Sequence, residues 1–312
     1  MTLPPIGIIV SFVVQILLTD YAVYSKIKKR YGRNCVVLGT AMRGTGDYYL
    51  CGLHLHRWLE EQNITDFCFL VGGEAERAAA DLFSTLSENM FSVKMLSSIP
   101  SDRMCAFLQN EQADMHWFHA PSRTFSICGI RTGNILLQGY KGINMLDWYF
   151  DFFPLGDAEM PSLTSCKLAG ARNVVVIAPY SNGNMKGQIA DGFWGSLVEQ
   201  LQKQGFIVFT NCGKAEKPLP QTEPISLPYG EMISFLNNAT AFIGVRSGLC
   251  EIVSSAKCKK IIIHLHKSHW WPDGHSLEYT NLTNMGLCDD ALEFEYVGAS
   301  DKLKIMNHIL AN

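Results

Sequence analysis

The chain has no CxxC pair, although its 312 residues include ten cysteines between Cys35 and Cys288. Cys35, Cys68 and Cys128 lie inside apolar runs, where a free cysteine behaves as a small buried hydrophobe. A reducing, cytoplasmic setting without a disulfide framework is the expectation. Positive charge is not in excess either. Twenty-six basic residues face 29 acidic ones, for a formal charge of −3. No nucleic-acid partner is expected, because its footprint would be a basic domain. The glycines of Arg43-Gly44-Thr45-Gly46-Asp47 do not form GxGxxG, so no dinucleotide fingerprint is present. The apolar stretch Ile6 to Leu18 has no basic residue before it and no evident small-residue cleavage site, so it is not read as a secretory signal. It is also short of the roughly 20 residues needed to cross a bilayer. Extending it to Tyr24 takes in Asp20.

What the chain does have is enough length and apolar content for two domains, with 47% hydrophobic residues. Lys26, Lys28, Lys29, Arg30 and Arg33 follow the first apolar stretch directly. Two readings stand for this N-terminus. It is a membrane-associating segment with the basic cluster on the cytoplasmic side, or a helix packed on the globular body.

Strand and helix patterns then alternate, which argues a parallel sheet flanked by helices. Asn34 to Thr40 reads as a strand, Tyr48 to Glu61 as a helix with Leu50, Leu53, Leu55, Trp58 and Leu59 on its apolar face, and Asp66 to Val71 as the next strand. A helix through Ala75, Ala79, Leu82 and Phe83 is followed by a strand at Val93 to Leu96, a helix at Asp102 to Leu108 and a strand at Ala113 to Phe118. The loop Arg43, Gly44, Thr45, Gly46 lets a backbone approach a ligand closely. Asp47 opens the next helix, where a carboxylate either caps N–H groups or faces a cleft. Periodicity is poor from Phe118 to Asp157. The aromatic cluster of Trp148, Tyr149, Phe150, Phe152 and Phe153 there reads as packing, and Met160 to Arg172 as a linker.

The second half repeats the βα pattern. Asn173 to Ala178 is a strand, a helix carries Phe193, Leu197, Val198 and Leu201, and Phe206 to Thr210 is the next strand. A proline-rich passage leads into a helix at Tyr229 to Asn238. Phe242, Ile243 and Val245 form a strand broken by Arg246-Ser247-Gly248. A helix through Leu249, Ile252, Val253 and Ala256 follows, then the strand Ile261 to Ile263. Asp301 to Leu310 reads as a terminal helix. The loops Tyr180–Gly187, Asn211–Lys214 and Arg246–Gly248 should share one edge of the sheet, where open α/β sheets bind ligands. Helix-terminal N–H groups there favour an anion, which Lys186 and Arg246 could both reach. Asn182 and Asn211 could orient hydroxyls. Arg246 could equally be a solvated residue of a βα turn. Glu251 either accepts ribose hydroxyls or simply favours the helix dipole. His264, His266, His269 and His275 cluster after the last of these strands, but no cysteine joins them at a metal-site spacing, so loop or substrate contact is the reading and no metal is expected.

Several stretches in this order carry a family likeness: Gly44-Thr-Gly-Asp47, Val175-Val-Ile-Ala-Pro179, Phe193-Trp194, Leu227-Pro228 and Ile243-Gly-Val-Arg-Ser-Gly248. The chain resembles two-domain GT-B glycosyltransferases, and within them the bacterial heptosyltransferase-like enzymes of cell-surface polysaccharide assembly. The resemblance implies an α/β fold of two Rossmann-like domains facing across a cleft, here preceded by the N-terminal apolar helix. With residues 1–30 taken as the membrane-associating segment that their apolar and basic residues suggest, an acceptor-side domain over 31–160 and a nucleotide-sugar-binding domain over 161–312 are expected. The resemblance also implies inverting, metal-independent transfer from a nucleotide sugar to a glycan or lipid-linked acceptor, with no cofactor. Asp47 would be the general base, and Lys186, with Arg246, Ser247, Gly248, Glu251, Asn182 and Asn211, would meet the donor. Residues 1–33 would meet the inner face of the cell membrane. Where the family has Asp-Ser-Gly followed by His-Ala, this chain has Arg246-Ser247-Gly248 and Glu251, and the loop of Lys186 lacks the family's Lys-x-Trp-Pro order. Those departures argue against heptose and leave hexose, galactofuranose and deoxyhexose donors open. A nucleotide-sugar epimerase of the same architecture and a non-catalytic partner in polysaccharide assembly are the alternatives.

Overall fold

A computed structural model describes residues 21–40, 44–92, 115–118, 158–166, 173–181, 189–266 and 276–311. Two compact units share the chain; among the described residues the first runs to Pro161 and the second starts at Ser162.

The first unit begins with helix α1 (Tyr21–Tyr31). Ile27 is fully buried there, and Val23, Tyr24 and Tyr31 pack beside it on Val37, Cys68 and Leu70 of the sheet. Gly32, at φ +100°, sends its N–H back to the Lys28 carbonyl and ends the helix in the left-handed conformation glycine tolerates. The sheet contains β1 (Val36–Thr40), β2 (Phe67–Val71), β3 (Met90–Ser92) and β4 (Met115–Phe118) in the order β3-β2-β1-β4, all parallel. Every residue of β2 is buried, the unbroken apolar pattern of a strand covered on both faces.

Helix α2 (Thr45–Glu61) buries Tyr48, Tyr49, Leu50, Cys51, Leu53, Leu55, Trp58 and Leu59. Gly52 is the contact point: a Cβ there would lie 2.0 Å from the Phe83 ring, so this helix can approach Phe83 only with glycine. The single helix expected after β2 is two short ones, α3 (Glu74–Ala80) and α4 (Ser84–Ser87). Phe83 breaks them by sinking into the core, fully buried, with its ring 5.3 Å from that of Tyr49. The strand expected at Val93 to Leu96 and the helix at Asp102 to Leu108 fall outside the described residues, as do the aromatic cluster at 148–153 and the apolar stretch at 6–18. Among the described residues no helix is long and apolar enough to cross a membrane.

The second unit is a six-stranded parallel sheet of β5 (Val174–Ala178), β6 (Ile207–Asn211), β7 (Glu223–Ile225), β8 (Ala241–Val245), β9 (Lys259–His264) and β10 (Ala291–Glu295), ordered β10-β9-β8-β5-β6-β7. One face takes α5 (Asp191–Lys203) through Phe193, Trp194, Leu197 and Leu201, and the terminal helix α9 (Asp301–Leu310) through Ile305, Met306 and Ile309. These pack on alternate strand residues, Val175, Ile177, Ile243, Ile261 and Ile263, as the period of two requires. On the opposite side, Phe235 of α6 (Tyr229–Leu236) meets Phe209, and α7 (Gly248–Val253) packs beside α6. A short helix α8 (Ser276–Thr280) precedes β10. Lys260 is almost fully buried in β9, with its ammonium donating to the Ala256 and Cys258 carbonyls and pairing with Asp290. A buried charge held this way carries its hydrogen bonds with it.

Candidate active site

Parallel pairing puts the carboxyl ends of β5, β6, β8 and β9 on one edge of the second sheet. Two hydrogen bonds tie the loops together there. The Tyr180 hydroxyl donates to the Lys217 carbonyl at 2.6 Å, joining the loops after β5 and β6. The Ser181 hydroxyl donates to the Arg246 carbonyl at 3.4 Å, joining the loops after β5 and β8. The described parts of the three loops therefore converge as the βα pattern requires; Asn182 and Lys186 lie outside the described residues. Asn211, the last residue of β6, is half-buried on this edge, and its carboxamide has no hydrogen-bond partner among the described residues. Ser247 and Gly248 are half-buried at the turn into α7, and the Ser247 side chain does not cap the helix.

Arg246 has a different use from the one its sequence position suggests. It is 7% exposed. Its Nη2 donates to Glu251 Oε1 at 2.5 Å, Nε to the Thr280 carbonyl at 2.7 Å and Nη1 to the Ser247 carbonyl at 2.8 Å. The fork offered to a phosphate is thus occupied inside the protein, and the residue is not a solvated turn arginine either. The physical reason is the neighbouring carboxylate: Glu251, 5% exposed, supplies the counter-charge that lets a guanidinium be buried. Burial alone would favour neutral Arg246, and the Coulombic pull and hydrogen bond of Glu251 more than offset it, holding the pKa above its ordinary value. Glu251 is accordingly neither a bare dipole partner nor a wholly free acceptor. One oxygen holds Arg246, while Oε2 is buried without a hydrogen-bond partner among the described residues.

The network continues beneath the edge. Thr280 donates its hydroxyl to the Ser276 carbonyl. Ser276 Oγ lies 3.4 Å from His264 Nδ1, and His264 Nε2 lies 3.0 Å from Glu293 Oε2. Glu293 Oε1 accepts the Leu282 N–H at 2.6 Å. Burial lowers the pKa of His264, against the pull of Glu293. His264 is therefore a fully buried strut, and His266 is paired with Glu295 at 2.8 Å. Among the described residues no group of His, Cys, Asp and Glu is placed to hold a metal ion; His269 and His275 lie outside them. Sequence reading missed Glu293, Thr280 and Ser276 as partners. Only the alternating pattern of Ala291 to Glu295 signalled a strand that could present Glu293.

In the first unit, Asp47 lies one turn into α2. Its Oδ2 accepts the Gly44 N–H at 2.8 Å, and its own N–H donates to the Gly44 carbonyl at 3.0 Å. This is a cap, the first of the two roles its position allows. Gly44 makes room for it, since a Cβ at 44 would sit 2.3 Å from Asp47 Oδ2. The same device recurs twice. Glu76 accepts the Gly73 N–H after β2, and Glu216 accepts the Gly213 N–H at 2.6 Å after β6. The recurring Gly-x-x-acid signal was present in sequence at all three positions. Asp47 and Thr45 are half-buried, Gly46 is buried, and Arg43 is outside the described residues.

No family model matches the sequence, and no curated protein matches it. Solved structures do. ADP-heptose lipopolysaccharide heptosyltransferase II of E. coli superposes with a TM-score of 0.55 at 11% identity, over 88% of this chain and 98% of that one. A second E. coli heptosyltransferase, with ADP, gives 0.50 at 12% identity over 87% and 99%. This chain shares their GT-B glycosyltransferase fold. A family 9 glycosyltransferase from Veillonella parvula gives 0.51 at 10% identity over 87% and 88%. At such identity it is the fold that is common, and function has to be argued from the site. In GT-B terms, the converging loops occupy the carboxyl edge of the second Rossmann-like unit, and the Gly44–Asp47 turn opens the first helix after β1 of the first unit.

Proposed function

We propose that this chain is a glycosyltransferase that moves a sugar from a nucleotide-sugar donor to a glycan or lipid-linked acceptor during assembly of a cell-surface polysaccharide. The observation that carries the reading is the carboxyl edge of the second unit, where Tyr180–Lys217 and Ser181–Arg246 hydrogen bonds gather three loops. The GT-B fold supports it. The donor lies along that edge. Lys186 and the Ser247-Gly248 turn meet the diphosphate, and Asn182 and Asn211 meet hydroxyls. The buried Glu251 Oε2, without a partner among the described residues, is a further acceptor for a donor hydroxyl that reaches it. Arg246 acts through Glu251 and the turn, as a positioning residue.

Transfer is inverting. The acceptor hydroxyl oxygen attacks the anomeric carbon, the bond from that carbon to the phosphate oxygen breaks, and the acceptor proton passes to the Asp47 carboxylate. Cationic groups and N–H donors stabilise the departing nucleoside diphosphate, so the step needs no metal and no cofactor. The donor sugar is a hexose or deoxyhexose, consistent with the departures at Arg246 and Glu251. Residues 1–33 keep the enzyme on the cytoplasmic face of the membrane.

Thermal unfolding of the purified chain with UDP, GDP, ADP and CMP and their sugar conjugates tests the reading. A ligand at about a hundred times its Kd stabilises the folded state by about 2.7 kcal/mol, a shift of several degrees. Asp47→Asn should keep that shift and lose transfer. No shift with any nucleotide would remove the donor site, and transfer by Asp47→Asn would remove the base.

A further inference from the structure

Helix α1 has a one-sided charge. Lys26, Lys29 and Arg30 are exposed at helical spacing, and Arg33 continues the stripe in the turn that follows. No acidic residue occurs between Tyr21 and Cys35. Lys26, Lys29 and Arg33 make no ion pair among the described residues, nor does Arg30, which lies over the rings of Tyr31 and Phe91, at 5.0 and 5.9 Å. Lys28 is set apart. Its ammonium donates to the Arg33 carbonyl at 3.0 Å and the Cys35 carbonyl at 2.6 Å, holding the turn closed. The apolar face of the helix is already used. Ile27 is fully buried, and Tyr31 donates its hydroxyl to the Met90 carbonyl.

We infer that α1 is an electrostatic docking surface for an anionic lipid leaflet, lying flat with Lys26, Lys29, Arg30 and Arg33 against the headgroups. The inference rests on the membrane placement proposed above and names the residues and the lipid chemistry for it. Charge complementarity favours this occupant: four cations without an ion pair among the described residues, on one stripe of a chain of net charge −3, match a negatively charged plane. The apolar stretch Ile6 to Leu18 ends three residues before the helix begins, so a lipid-seeking sequence adjoins the stripe directly. The helix cannot insert its own apolar side, because that side is the contact with β1 and β2. Attachment by α1 is therefore surface-bound, selective for anionic lipid and reversible by salt.

The test is co-sedimentation of the full chain with vesicles, neutral or carrying about 30% anionic lipid. The wild type should favour the anionic vesicles. The variant K26Q/K29Q/R30Q/R33Q should lose up to about a thousandfold in partition to them, and wild type should lose most of its binding at ~1 M salt, where the Debye length is ~3 Å. K28M, which removes a cation outside the stripe, should bind nearly as wild type does. None of the four glutamines touches the buried face, and an unchanged melting temperature would establish that the helix is intact. Equal binding of wild type to neutral and anionic vesicles, unchanged in the quadruple variant, would overturn the inference and leave attachment to the apolar stretch. Binding to a polyanion such as RNA but not to anionic vesicles would overturn it in favour of another partner. The transferase reading is scored separately, by whether the quadruple variant keeps the nucleotide-induced thermal shift.

Discussion

The turn after β1 and the turn after β8 have the same ingredients: a buried parallel strand, a glycine and a carboxylate within the first residues of a helix. They differ in what the carboxylate finds. After β1 half-buried Asp47 reaches back to the Gly44 N–H at its own helix N-terminus. After β8 the cation arrives first, and Glu251 is drawn under the surface to neutralise it. One turn has a half-buried carboxylate that caps its own helix, and the other a buried strut that shapes the loop around it. Burial is what separates the two, because an ion pair out of water cannot lose one member cheaply.

The largest expected effect follows from that contrast. Arg246→Ala leaves Glu251 buried without its counter-charge and should destabilise the second unit by about 3–5 kcal/mol, read by urea unfolding. The double variant R246M/E251L should recover most of that loss, since an apolar pair of similar volume is often neutral or better. If both substitutions together cost as much as the single one, the ion pair is not what Arg246 is for. A double variant that folds but binds nucleotide over tenfold more weakly would restore Arg246 or Glu251 to the ligand.

The difference between these turns was only partly legible in the sequence. Buried strands such as Phe67–Val71, Val174–Ala178 and Ala241–Val245 are continuous apolar runs and read directly. The two strands missed in the second unit, Glu223–Ile225 and Ala291–Glu295, are the two edges of its sheet. Pro224 makes the first look like loop, which is tolerable because an edge strand can do without one N–H. The second is half polar because its glutamates serve His264 and His266. The role of Arg246 was hidden for a related reason. Its partners Thr280 and Met285 lie 34 and 39 residues further on, beyond the reach of any local pattern. Gly44 and Asp47 needed only three residues, and the cap was among the roles their spacing allowed.

An intermediate effect separates the units by pH. His264 in the second unit and His54 in the first are both held below the usual 6.5, each chiefly by burial, His54 to about 4 with a further push from His56. A base with a lowered folded-state pKa binds fewer protons folded than unfolded. Its contribution to stability is present above about pH 6.5 and is lost as the pH falls through the folded value. Acidification from neutrality should therefore weaken the chain, by at most about 1.4 kcal/mol per pH unit for each histidine. His54→Asn should flatten the slope between pH 6.5 and about 4. If the slope is unchanged, the proton uptake belongs to other groups. His264 gives the harder test, because Glu293 opposes its burial and the two must be changed together.

The smallest change in stability should come from Gly44→Ala, and it probes the half-buried carboxylate without removing it. The added methyl would fall 2.3 Å from Asp47 Oδ2, so either the backbone or the carboxylate must move. Loss of the cap costs about 1 kcal/mol, well below the cost of breaking Arg246–Glu251. If Asp47 only caps, that is the whole effect, and turnover should follow the folded fraction. If Asp47 also takes the acceptor proton, a displacement of about 1 Å should lower kcat by around a hundredfold, because proton transfer depends on hydrogen-bond reach. Donor affinity should stay as in wild type, since the edge proposed to meet the nucleotide lies in the other unit. A kcat loss with unchanged donor affinity, repeated by Asp47→Asn, would give Asp47 two roles; a stability loss with normal kcat would leave it the one it shares with Glu76 and Glu216.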